Sequence, residues 1–207
     1  MLDRIVRDRL IRLSVNLLGA TLAALFARAS LLYYLQTHRL IGAVFFVEQA
    51  WFVVAFLARR PPRASSRRLW AWLLAAGGTF GGLLFRPQGS NPQWGVTAGL
   101  VLQLLGLVLV LVSLAALGRS FGFVAADRGL VTRGPYRVVR HPIYASYILI
   151  QSGYLIQAQS LRNLLVLLFA TGCNIGRCLA EEQVLTDTSD YQEYRARVRW
   201  RLVPGMW

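Results

Sequence analysis

The sequence predicts an all-α integral membrane protein with about six transmembrane helices, four spans and then a C-terminal helical hairpin, ending in a short polar tail. Three observations predict it. Of 207 residues, 56% are hydrophobic and only 15% charged, where a soluble domain carries about a quarter charged. The apolar residues fall in runs of about 20, the length that crosses the hydrocarbon core of a bilayer. The charge between the runs is almost wholly arginine and is shared unevenly among the connections.

Four runs meet the length criterion: roughly Ser14 to Leu35, Leu40 to Leu57, Leu69 to Phe85 and Trp94 to Leu117. A fifth apolar region, from about Ile143 to Ala180, is interrupted at Gln157-Ala-Gln-Ser160 and Arg162-Asn163, so it reads as two hairpin segments, the first short. Five spans is the alternative count. Pro61-Pro62, Pro87 and Asn91-Pro92 mark turns at membrane exits. No linker separates two domains, so 1–207 reads as one membrane domain, with four helices in 1–117 and a functional core in 118–207. After Ala180 the chain becomes polar and aromatic, and the alternation of Arg195, Arg197, Arg199 and Arg201 with apolar residues predicts an extended tail.

The chain has no lysine: its 23 basic residues are all arginine, and the net charge is +14. Arg4, Arg7, Arg9 and Arg12 precede the first run; Arg59, Arg60, Arg63, Arg67 and Arg68 follow the second; Arg119, Arg128, Arg133, Arg137 and Arg140 follow the fourth. The alternate connections hold one arginine each, Arg39 and Arg86. The positive-inside rule then places both termini and the two basic loops in the cytoplasm. The same distribution excludes a nucleic-acid binder, because no basic segment belongs to a recognition fold. The tail arginines are expected to pair with anionic lipid heads, and Phe121, Phe123, Trp200 and Trp207 to anchor at the interface. Cys173 and Cys178 fit neither a redox nor a zinc spacing and read as packing residues; no metal site is expected. No cleavable signal peptide is expected, since the apolar run after Arg12 is long and lacks a small-residue cleavage site.

Chemistry concentrates in Gly129-Leu-Val-Thr-Arg-Gly-Pro-Tyr-Arg-Val-Val-Arg-His-Pro-Ile-Tyr144. Gly134-Pro135 predicts a turn, and Pro142 predicts the first turn of a helix with His141 at its start. Arginines, a histidine and tyrosines together make an anion-friendly, aromatic-lined mouth. The second cluster is Arg177-Cys-Leu-Ala-Glu-Glu182, two carboxylates at a membrane exit, which are costly there unless solvated or paired. Tyr191-Gln-Glu-Tyr194 and Val203-Pro204 follow.

From Leu117-Gly-Arg-Ser120 through Gly134-Pro-Tyr-Arg137 and Arg140-His-Pro-Ile-Tyr144 to Glu181-Glu182, the chain resembles the isoprenylcysteine carboxyl methyltransferases and phospholipid methyltransferases. The resemblance covers 117–207. It implies S-adenosylmethionine as cofactor, bound at the cytoplasmic face between hairpin and tail, with Tyr136, Arg137, His141, Tyr144, Glu181 and Glu182 in its site. It also implies an integral membrane location, of bacterial inner-membrane type, and a lipophilic or membrane-associated substrate drawn from the bilayer. The residue types agree: carboxylates suit the ammonium and ribose of the cofactor, Arg or imidazole its carboxylate, aromatic walls its adenine. No glycine-rich strand–helix turn is present, which argues against a Rossmann-type site. Gln157-Ala-Gln-Ser160 stands where the eukaryotic enzymes carry an Asn-Pro-x-Cys stretch, a departure that bears on the prenylcysteine substrate.

The expected reaction is methyl transfer to a carboxylate, with no base required and with Arg140 and Arg177 holding an anionic acceptor or, alternatively, the cofactor carboxylate. An amine acceptor, as in phospholipid N-methylation, would need one, and His141 is the titrating group for it. The rival class is an NADPH-dependent sterol-reductase-like enzyme, to which a carboxylate pair is ill suited. Finally, Arg28 and Glu48 lie about ten residues either side of the first connection, which predicts an ion pair near mid-bilayer; the alternative has Glu48 facing a lipid-substrate groove.

Overall fold

The computed structural model describes residues 9–38, 40–60, 64–65, 68–87, 89–90, 92–121, 126–127, 129–186 and 189–207. Arg4, Arg7, Arg39, Pro61, Pro62, Arg63, Arg67, Asn91, Phe123 and Arg128 lie outside the described residues. The described part is mainly helical: α1 Arg9–Thr37, α2 Leu40–Ala58, α3 Leu69–Phe80, α4 Gln93–Leu117, α5 Pro142–Gln157, α6 Leu161–Leu185 and α7 Ser189–Arg197. Among the described residues, a two-residue ladder pairs Ala64–Ser65 with Ala126–Asp127.

Among the described residues, three stretches are long and apolar enough to cross a membrane, Leu13–Thr37, Gln93–Ser120 and Leu161–Leu185. Gly42–Ala58 and Leu69–Leu84 are shorter apolar helices. The third expected run ends as a 3₁₀ turn, Gly81–Leu84. The first hairpin helix, α5, has 16 residues, a length of about 24 Å against a core of about 30 Å.

The helices pack mainly as three pairs: α1 on α2, α4 on α5, and α3 on α6. Apolar burial drives little association inside a bilayer, so close backbone approach and interhelical polar contacts carry it. Both are present. Gly95 and Gly99 form a small-xxx-small face on α4, and a Cβ added at Gly95 would stand 2.7 Å from the Ile156 carbonyl of α5. Gln157 donates to Gln103 across the same seam at 3.2 Å. Between α3 and α6, a Cβ on Gly78 would meet Asn174 Oδ1 at 2.5 Å. Cys173 and Cys178 are buried and free.

Two ends of the bundle differ in chemistry. At one, Ser90 and Gln159 exchange backbone hydrogen bonds of 2.9 Å. There fully buried Asn163 donates to the carbonyls of Arg86 and Ala158 and accepts from the Arg86 N–H, tying the α3–α4 connection to the hairpin turn. At the other end the basic loops meet: the Arg60 N–H donates to Arg119 O at 2.7 Å, and Arg119 Nε to Ala58 O at 3.1 Å. We call this the charged end.

Four expectations are corrected. The tail is not extended from Arg195: Arg195 and Arg197 lie on α7, whose Tyr191 and Tyr194 sit three apart on one buried face. Phe121 is not an interface anchor but is buried against Phe52 and Phe56, at centroid distances of 5.7 and 5.4 Å. Arg28 and Glu48 do not pair: Arg28 is exposed beside the buried stripe Ala20, Ala23, Ala27 of α1, whereas Glu48 is buried on α2 and faces an interior cavity. Arg201 does not pair with lipid heads, for the reason given next.

Candidate active site

Pro142 starts α5 and leaves His141 as its N-cap residue. The chain entering it is fixed by the tail, because the Arg140 and His141 N–H groups donate to the carbonyls of Trp200 and Arg201 at 2.9 Å each. His141 is thereby held over the last two turns of α6, where Glu181 and Glu182 arrive. Its ring bridges them: Nδ1 is 3.5 Å from Glu181 Oε2 and Nε2 is 3.3 Å from Glu182 Oε1. Burial alone would lower the pKa of this imidazole, but hydrogen bonds and charge from the two carboxylates outweigh it and raise the value. The imidazolium can donate from both nitrogens at once, which the neutral ring cannot.

The two glutamates face different ways. Glu182 is clamped by arginines: Arg140 Nη1 stands 2.6 Å from Oε1, and Arg201 reaches Oε2 through Nη2 at 3.2 Å and both oxygens through Nε at 3.2 Å. Arg201 is in turn packed on the Trp207 ring at 4.8 Å, and the Trp207 carbonyl accepts from the Arg201 and Leu202 N–H groups. Glu181 instead accepts from the Tyr144 hydroxyl. The Tyr144 ring stacks on His141, 5.9 Å between centroids, and carries the Arg177 guanidinium on its face at 4.9 Å. Arg177 also donates to Thr79 of α3 at 3.2 Å.

These groups close one end of a cavity of about 770 Å³. Tyr136, Arg140, His141, Tyr144, Arg177 and Glu181 line it; Arg137 and Glu182 do not. Arg137 is exposed. Tyr191 and Tyr194 of α7 cover the same end, and Tyr194 donates to the Tyr136 carbonyl at 2.7 Å. Burial and then the Glu182 carboxylate push the Tyr191 hydroxyl up to about 12, which keeps it neutral. Away from the charged end the cavity becomes apolar, passing between Leu22 and Phe26 of α1, Phe45 of α2 and Phe85. Its polar lining residues there include Ser30, Glu48, Gln49 and Gln151.

The sequence motifs found the charged end but missed what surrounds it. Tyr147 and Gln151 continue the lining face of α5 from Tyr144, and the spacing of 3 and 7 residues was the available signal. Thr79 and Arg201 had none, because each is brought in by tertiary packing.

Fold and site together describe a helical protein with helices of membrane-crossing length, whose charged, aromatic chamber opens into an apolar cavity among them. Residues 94–191, from the start of α4 to Tyr191 of α7, match the family model described as phospholipid methyltransferase. The matched stretch, just under half of the chain, is similar to the domain of that family of integral membrane methyltransferases. No curated protein matches the chain.

Proposed function

We propose that the protein transfers a methyl group from S-adenosylmethionine to a carboxylate on a membrane-resident amphiphile. The observation that carries this reading is the single cavity that joins the Glu181–His141–Arg177 chamber to an apolar lumen, so that a polar donor and a lipidic acceptor have one meeting place. The donor set at the chamber fits the cofactor: Glu181 and the tyrosine hydroxyls for its ammonium and ribose, His141 for its carboxylate, and the rings of Tyr136, Tyr144 and Tyr191 for its adenine. When bound, S-adenosylmethionine would supply an electrophilic sulfonium methyl group. Tyr136, His141, Tyr144 and Glu181 hold and orient it. Glu182 supports them by fixing the tail over the chamber, and Arg137 sits at the rim.

The proton inventory favours a carboxylate. Glu181 and Glu182 favour the charged form of His141 over the neutral form that a general base needs, whereas a carboxylate acceptor is already ionised and demands no base. Arg177, facing the cavity, orients the acceptor anion, with Arg140 behind it; orientation and charge placement are then the main catalytic contributions. The second reading, an amine acceptor, is favoured by the name of the matching family. The topology that accompanies this proposal has six membrane helices, both termini and the charged end in the cytoplasm, and the Ser90–Gln159 end outside; the uneven arginine distribution supports it.

The experiment is methyl transfer from tritiated S-adenosylmethionine by purified protein in vesicles supplied with a bacterial lipid extract. Label in the organic phase that alkali releases as volatile methanol supports the carboxylate reading. Alkali-stable label supports the amine reading. Absence of protein-dependent label overturns both.

A further inference from the structure

The apolar part of the cavity holds a buried carboxyl group that no part of the proposed reaction uses. Glu48 is 6% exposed and Gln151 is 9% exposed, and both line the cavity rather than the lipid face. No described residue forms a hydrogen bond or ion pair with Glu48, and Gln151 Oε1 is buried without a hydrogen-bond partner. The cavity's arginines are engaged elsewhere, Arg140 on Glu182 and Arg177 on Thr79 and Tyr144. Glu48 lies ten residues before the end of α2 at the charged end, and Gln151 nine residues into α5 from that end. At 1.5 Å per residue both stand about 14–15 Å in, at one level. Tyr147, one turn nearer the chamber, is within electrostatic reach of Glu48. An unpartnered buried polar group costs free energy that a ligand can recover. Two unpartnered groups whose common capacity is to accept hydrogen bonds call for a donor.

We propose that Glu48 and Gln151 form a second binding subsite, inside the membrane-embedded part of the cavity, for an O–H or N–H group carried on the hydrocarbon portion of the ligand. Tyr144 and Gln151 are seven residues apart on α5, so the subsite lies about 10 Å beyond the chamber. The ligand is therefore an amphiphile with a head group at the chamber and a hydrogen-bond donor partway along its chain. That this ligand is the methyl acceptor rests on the function proposed above; the subsite itself does not.

The test is binding of four octadecanoates to the detergent-solubilised protein by native mass spectrometry, with S-adenosylhomocysteine binding measured in parallel by calorimetry. The probes are the unsubstituted acid and its 10-hydroxy, 10-amino and 10-oxo derivatives. The 10-hydroxy and 10-amino acids donate; the 10-oxo acid only accepts. We expect each donor probe to bind about tenfold more tightly than the 10-oxo and unsubstituted acids, and Glu48→Leu with Gln151→Leu to remove the difference. Glu48→Gln, which keeps an acceptor and the side-chain shape, should retain the preference for the hydroxy acid and lose any further preference for the amino acid. The amino acid exceeding the hydroxy acid assigns a cationic donor; equality assigns a neutral one. A 10-oxo acid binding as tightly as the hydroxy acid, or a preference that survives the double Leu variant, overturns the subsite. Donor preference without S-adenosylhomocysteine binding would leave the subsite standing and remove the proposed function; the converse would do the opposite.

Discussion

Glu181 and Glu182 are adjacent in sequence, yet the first accepts from Tyr144 in the cavity wall and the second is enclosed by Arg140 and Arg201 outside it. Successive helical residues differ by about 100° in direction, which is how one dipeptide serves two purposes. Replacing each with Gln should separate them. Glu181→Gln should weaken S-adenosylhomocysteine binding roughly ten- to a hundredfold, the loss of one charge-assisted hydrogen bond, with little change in melting temperature. Glu182→Gln should leave Arg140 buried beside a neutral amide and cost about 3–5 kcal/mol of stability. Calorimetry and thermal unfolding of the two variants check this; equal effects on both readouts would merge the roles.

Arg201 joins the tail to the site, and Trp207 backs it. Arg201→Ala should loosen residues 198–207 and raise amide hydrogen exchange at Arg140 and His141, whose N–H groups are bonded to that segment. Arg201→Lys keeps the charge but loses the forked contact to both Glu182 oxygens, and should fall between the wild type and Ala. Unchanged exchange in Arg201→Ala would show that the tail is held without the clamp.

His141 gives the fold a pH dependence whose sign follows from its environment. Its folded pKa is raised above the unfolded value of about 6.5. The stabilisation is therefore fully present below about 6.5 and is lost as pH rises through the higher folded value. Melting temperature should fall with rising pH across that window, and His141→Phe should flatten the dependence. A wild-type melting temperature that rises with pH across the same window would contradict the bridging imidazolium.

The sequence displayed the spans because a bilayer imposes length and apolarity on a helix whatever its neighbours are. It displayed the charged end because Arg-His-Pro and Glu-Glu are polar residues at membrane boundaries, where each must find a partner. Partners across the fold were not legible. Arg201 looked like one of four solvated arginines until the tail turned it onto Glu182. Arg28 and Glu48 matched in depth, but depth says nothing of rotation about the helix axis, and α1 turns its alanine stripe rather than Arg28 inward. Phe121 sat where an interface aromatic would sit, and only the fold puts Phe52 and Phe56 beside it.

The chamber bounded by His141, Tyr144, Arg177 and Glu181 is expected to bind S-adenosylmethionine. Calorimetric titration of the purified protein with S-adenosylhomocysteine, and separately with NADPH, tests it most directly. Micromolar binding of the first is expected, about −8 kcal/mol, weakened in Glu181→Gln, with no heat from NADPH. NADPH binding with no S-adenosylhomocysteine signal would contradict it.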